Sequence, residues 1–156
     1  NVSSNTVRGN EVSVAQAPGT NHLIMDGRGQ SFPWFPRRAV YYSTDDGATW
    51  SQPRESPLRD PPDGGCQRAL IGHNGVLYTS EPQLAERHRM ILQCSRDGGK
   101  TYPWSTVVGG DNARGGYSDL TFTSDGMLLM VWEDYDSNNV FAQRLSTDWC
   151  AKAGPT

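Results

Sequence analysis

Two charges frame the stretch NEVSVAQAPGTNHLIMDGRG. Glu11 stands near its start and Arg28 near its end, between two glycines, with a β-like apolar segment in between. Further along, Arg87 and Arg89 precede the run MILQC, and Tyr117 follows directly on Gly115 and Gly116. Such residue types have a joint chemistry. A phenol with a pKa near 10 is a poor nucleophile at neutral pH until a base takes its proton, and a carboxylate can be that base. The planar fork of an arginine bonds both oxygens of a substrate carboxylate and stays charged. Taken singly, each residue has a plainer reading: strand-end charges for Glu11 and the arginines, an aromatic at a strand entrance for Tyr117. Their order along the chain, and the elements that position them, decide between the two.

Those elements are short strands. Of 156 residues, 17 are glycine and 10 proline, and no segment carries a long apolar stripe at helical spacing. That composition favours many strands joined by turns. The net charge is −3 and the basic residues are scattered, which gives none of the clustered basic face that nucleic acid requires. The longest apolar run, Met127 to Trp132, is far shorter than the roughly 20 residues that cross a bilayer, so no membrane span is expected. Three cysteines, Cys66, Cys94 and Cys150, with no C-x-x-C and no histidine at metal spacing, disfavour a full disulfide framework and a zinc site.

An internal repeat gives the architecture. STDDGATW, Ser43 to Trp50, recurs as SRDGGKTY, Ser95 to Tyr102, 52 residues on, each after a β-like run. Each reads as a turn in which Asp accepts bonds from turn N–H groups, Gly supplies a positive φ and the closing aromatic packs back on the sheet. Strands are predicted over 11–17, 22–26, 38–43, 68–72, 75–79, 89–95, 118–123, 127–133 and 139–145. A repeat of about 50 residues with several short strands suits one blade of a β-propeller, and three such units use up the chain.

The octapeptides resemble the Asp-box, S-x-D-x-G-x-T-W, of the sialidase (neuraminidase) superfamily. The rest of the chain resembles the same family in unbroken order. NEVSVAQ leading to LIMDGR is similar to its N-E and N-A-R pair. PPDGGCQRALI resembles its P-x-G-C-Q-x-S-hydrophobic segment. SEPQLAERHRMILQCSRDGG matches its S-x-P, Arg, strand and Asp-box order, and GGYSDLTFTSDGMLLMVWED its Y-S-x-L, D-G, L-Y-E ending. The resemblance implies an all-β chain forming about three blades of a six-bladed propeller, with residues 1–156 the C-terminal half of a catalytic domain.

It also implies roles. Tyr117 falls at the family's nucleophile, Glu11 at its catalytic glutamate, and Arg28 and Arg87 at two arginines of its substrate-carboxylate triad. Arg87 is chosen because it stands eight residues before Ser95; Arg89, two residues on, is the competing choice and would share the same strand face. Arg37 and Arg38 are read as strand-end charges. Sialic acid bears a carboxylate on its anomeric carbon, so a carboxylate nucleophile would meet a like charge, whereas a neutral tyrosine does not.

The implied activity is that of a retaining exo-α-sialidase acting on sialylated glycoproteins, glycolipids or oligosaccharides, with no metal or organic cofactor. A trans-sialidase would use the same residues, and a non-catalytic glycan-binding or interaction propeller is the alternative. The family's first arginine, in an F-R-I-P-like motif, and its acid/base aspartate have no match here, so the missing N-terminal blades are the expected partner. Trp132 replaces the tyrosine usual before the last Glu. The compartment is left open, with an extracellular, secreted or lysosomal setting favoured over the cytoplasm.

Overall fold

A computed structural model of the chain describes residues 9–16, 20–29, 39–58, 67–134 and 137–152. Eleven strands in three antiparallel sheets occupy them, with one short helix at the end. The first sheet is a meander of β1 (Gly9–Gln16), β2 (Leu23–Gly29), β3 (Ala39–Ser43) and β4 (Arg54–Glu55). The second repeats it with β5 (Ala69–His73), β6 (Val76–Pro82), β7 (Met90–Ser95) and β8 (Trp104–Val107). The third has β9 (Ser118–Phe122), β10 (Leu128–Glu133) and β11 (Val140–Leu145), followed by α1 (Trp149–Lys152). The inner strand β5 packs beside β1 on one side and β9 on the other, so the three sheets stand as successive blades.

Burial explains the strand patterns. In β10 the sequence LLMVWE alternates buried and less buried positions, as a strand with one covered face must. All seven residues of β6 are buried, because the second sheet is covered on both faces by its neighbours. The larger core lies between the second and third sheets and includes Tyr78, Met90, Leu92, Leu120, Leu128, Met130 and Trp132. A smaller one, Ala15, Ile24 and Leu77, joins the first sheet to the second. Cys94 on β7 and Cys150 in α1 are joined in a disulfide across 56 residues, which ties the end of the third unit back to the second. Among the described residues no helix is long and apolar enough to cross a membrane.

The two octapeptides fold alike. The Asp45 carboxylate accepts from the Thr49 N–H at 2.9 Å and the Thr49 hydroxyl at 2.6 Å. Asp97 does the same with Thr101 at 3.0 and 2.7 Å. Ser43 and Ser95 each donate to their Asp and accept from a glycine N–H, that of Gly47 or Gly99, at 2.9 Å. Both glycines have φ +84°, the left-handed region that side chains resist.

All nine predicted strands form, within a few residues of their expected limits. The outer strands β4 and β8 are additional, and the third sheet has three strands among the described residues. Arg37 and Arg38 lie outside the described residues.

Candidate functional site

Each sheet is a meander, so the starts of its odd strands and the ends of its even ones share one edge. In the first sheet that edge carries Glu11 and Arg28. The register there slips: Asn10 faces Arg28 and Val12 faces Gly27, which leaves Glu11 at a β-bulge. Bulges are over-represented next to active sites, where they re-aim a side chain. In the second sheet the same edge carries Arg68, Glu81 and the turn before β7, and Pro82 faces Met90. In the third it carries Tyr117, just before β9, and Glu133 at the end of β10.

Hydrogen bonds between sheets show that these three edges form one rim. The Ser13 hydroxyl of the first sheet donates to the Arg68 carbonyl of the second. The hydroxyls of Ser80 and Ser118 meet at 2.8 Å across the second and third. The Gly115 N–H donates to the Arg87 carbonyl at 2.9 Å, and the Arg89 N–H to the Ala113 carbonyl at 2.8 Å. The structure thus brings the backbones of Glu11, Arg28, Arg87 and Tyr117 to a single rim, while the octapeptide turns close the opposite end.

Arg87 sits in a 3-10 turn, Ala85–Arg87, and not on a strand. The expectation that Arg87 and Arg89 share a strand face is therefore corrected: β7 begins only at Met90. Glu86, Arg87 and Arg89 all take positive φ, of 54°, 60° and 61°. For residues with side chains this costs on the order of 1–3 kcal/mol each and persists only where the surroundings over-determine it. Here they do. The Gln83 N–H donates to the Arg89 carbonyl and that of Leu84 to the His88 carbonyl, both at 3.0 Å, and the Arg114 Nε–H donates to the Glu86 carbonyl at 3.0 Å. Strain held in this way clusters at functional sites. The Arg89 guanidinium is engaged with Asp111, 3.3 Å from Nε to Oδ1.

Tyr117 is 49 % exposed, a large share for an aromatic in an otherwise covered strand region. Its backbone is clamped. The Tyr117 N–H donates to Glu133 Oε1 at 3.1 Å, its carbonyl accepts from the Glu133 N–H at 3.0 Å, and the Gly116 N–H donates to the Glu133 carbonyl at 2.8 Å. The glycines before it are required for space. A Cβ on Gly116 would come within 2.2 Å of Glu133 Oε1, and one on Gly115 within 2.2 Å of Met90 Sδ.

Sequence reasoning assigned no role to Arg68, Asp26 and Glu81. The Arg68 guanidinium is 1 % exposed, bonds Glu81 through Nε and Nη2, and places Nη1 3.7 Å from Asp26 Oδ2. No local signal marks the group, since its three members lie far apart in sequence and meet only where the first two sheets pack together. Nearby, burial pushes the Tyr102 phenol well above its ordinary range, and the Asp26 charge adds to this. Among the described residues no group of three His, Cys, Asp or Glu side chains could hold a metal ion.

Three successive four- or three-stranded antiparallel sheets, packed through their inner strands and carrying Tyr, Glu and Arg along one rim, define the class as part of a β-propeller of the sialidase type. Comparison with known proteins agrees. The chain is 31 % identical over 99 residues to an exo-alpha-sialidase of Arthroderma benhamiae, covering 62 % of this chain and 23 % of that protein. It superposes on the Hadza microbial sialidase Hz136 with TM-score 0.70 and 25 % identity, over 90 % of this chain and 28 % of that one. It also matches the intramolecular trans-sialidase from Ruminococcus gnavus in complex with oseltamivir carboxylate, with TM-score 0.70 and 22 % identity, over 96 % of this chain and 34 % of that one. No family model matches. The chain is thus similar to sialidases in both sequence and fold. It spans about a quarter of the length of the curated relative and about a third or less of these two structures.

Proposed function

We propose that the chain is the C-terminal half of the catalytic propeller of a retaining exo-α-sialidase that releases terminal sialic acids from glycoproteins, glycolipids or oligosaccharides. In this reading Tyr117 attacks the anomeric carbon as the glycosidic bond breaks, and Glu11 takes the phenol proton. The acid/base aspartate of the N-terminal blades protonates the departing glycan oxygen, and water then releases the sugar from Tyr117 as the phenol regains its proton. Arg28 and Arg87 hold the substrate carboxylate in charge-assisted hydrogen bonds. A first arginine and an acid/base aspartate belong to the N-terminal blades, which complete both the ring and the site.

The observation that carries the proposal is the convergence of these four residues on one rim. It is supported by the strained Arg87 turn, whose carbonyl is bonded to Gly115, two residues before Tyr117. The Cys94–Cys150 disulfide supports an oxidising compartment, extracellular, secreted or lysosomal, over the cytoplasm.

The test is turnover of a fluorogenic α-sialoside by the complete protein, with the first-formed anomer followed by NMR. Release of the α-anomer is the expected result. Release of the β-anomer first, or binding of sialosides without turnover, overturns it. A trans-sialidase reading draws on the same residues, and analysis of products with an acceptor glycan present separates the two.

A further inference from the structure

Just below the rim lies the Arg68, Asp26 and Glu81 group, which the proposed chemistry leaves unused. Its members are 1 %, 4 % and 5 % exposed. Stability alone is a poor reason for it, because buried ion pairs replaced by well-packed apolar groups are often neutral or better. Geometry gives a better one. Asp26 comes from β2 of the first sheet, Arg68 and Glu81 from the edge of the second, so the guanidinium bridges two blades.

The bridge is braced from both sides. The Ser56 hydroxyl donates to Asp26 at 3.4 Å, and the Ser13 hydroxyl donates to the Arg68 carbonyl. Each anchor also stands close to a proposed site residue. Asp26 is two residues before Arg28 and Ser13 two residues after Glu11. Glu81 is the penultimate residue of β6, and the last, Pro82, pairs with Met90 at the exit of the Arg87 turn.

We infer that Arg68, held between Asp26 and Glu81, is a positioning residue that fixes the spacing between Arg28 and Arg87 and so fits the rim to the substrate carboxylate. The inference rests on the carboxylate-binding role proposed for those two arginines. A planar fork suits this task, since it engages two carboxylates on different sheets in set directions, which the point charge of a lysine does not.

The experiment compares affinities of the complete protein for a sialic-acid transition-state analogue and for its methyl ester, in which the carboxylate charge is gone. Two variants are measured, Arg68→Lys and the charge-free combination Asp26→Asn, Arg68→Met, Glu81→Gln, each checked for a cooperative melt. The second keeps volume and leaves no unpaired charge; should it fail to fold, Arg68→Lys carries the test. The expected result is that the preference for the free acid falls by about tenfold or more, as small misplacements of binding groups do, while affinity for the ester holds. A purely structural role lowers the melting temperature and leaves the preference unchanged, and that result in folded variants overturns the inference. A wild type without any preference for the acid overturns instead the reading of Arg28 and Arg87.

Discussion

Gly115 is the position where a single methyl group should connect core packing to the site. A Cβ there lies 2.2 Å from Met90 Sδ, 2.5 Å from its Cγ and 3.2 Å from its Cε. Non-bonded carbon atoms rest at about 3.5–4.0 Å, so more than ~1 Å must open. Met90 is fully buried in the larger core and has little room to retreat. Gly115→Ala should therefore cost about 1–3 kcal/mol, the usual range for overpacking. It should also lower kcat/KM, because the Gly115 N–H bonded to the Arg87 carbonyl moves and Tyr117 follows two residues on. The assay is thermal or denaturant unfolding of the complete protein, alongside sialoside turnover. Met90→Ala alone should cost about 2–5 kcal/mol by leaving a cavity. Combined with Gly115→Ala, the new methyl enters that cavity, and the double-mutant cycle should show a favourable coupling of about 1–3 kcal/mol. Additivity to within about 0.5 kcal/mol, or a neutral Gly115→Ala, would refute the clash as the mechanism.

In the complete protein, Arg28→Ala and Arg87→Ala should each weaken binding of a transition-state analogue by about 1.5–3 kcal/mol, the range for a hydrogen bond to a charged group, with Arg89→Ala costing much less by calorimetry. Replacing Cys94 and Cys150 by serine opens a 56-residue loop and should cost about 4 kcal/mol in the chain-entropy model, read as a lowered melting temperature. The hydrogen bonds from the Thr49 side chain and backbone and from Ser43 hold the Asp45 carboxyl at about 2, below the ordinary 3.8. A depressed carboxyl stabilises the fold above its unfolded pKa and loses that contribution as pH falls through the folded one. The melting-temperature gap between wild type and Asp45→Asn should thus be full above about pH 4 and shrink toward pH 2. The 156-residue chain alone, with open sheet faces, should associate through exposed apolar residues such as Val12, Val14 and Phe141 and turn over no sialoside.

Much of the fold was legible because it is written in local signals. The paired octapeptides and the alternation in β10 need only their own residues to be read. β4 was not, since Arg54–Glu55 is two exposed residues between Pro53 and Pro57 and borrows its strand form from β3. β8 was hidden in the same way behind Pro103, with its register set by β7. For the site, the order along the chain singled out Glu11, Arg28, Arg87 and Tyr117, whose backbones lie on one rim in the structure. The turn carrying Arg87 was misread as strand because its positive φ values come from bonds to the loop before Tyr117, more than 20 residues away in sequence. Arg68, Asp26 and Glu81 went unassigned for the same reason, as their meeting depends on two sheets packing side by side.

The central claim rests on one oxygen, that of Tyr117. Tyr117→Phe keeps the ring and the backbone clamp to Glu133, and removes only the group proposed to form the covalent bond. In the complete protein, wild type treated with a fluorinated sialosyl fluoride should carry the sugar on Tyr117, as read by peptide mass spectrometry. The Phe variant should remain unlabelled and lose most of its kcat, while its affinity for the transition-state analogue changes by no more than about one hydrogen bond, ~0.5–1.5 kcal/mol. Full turnover by Tyr117→Phe, or a label on any other residue, would contradict the assignment.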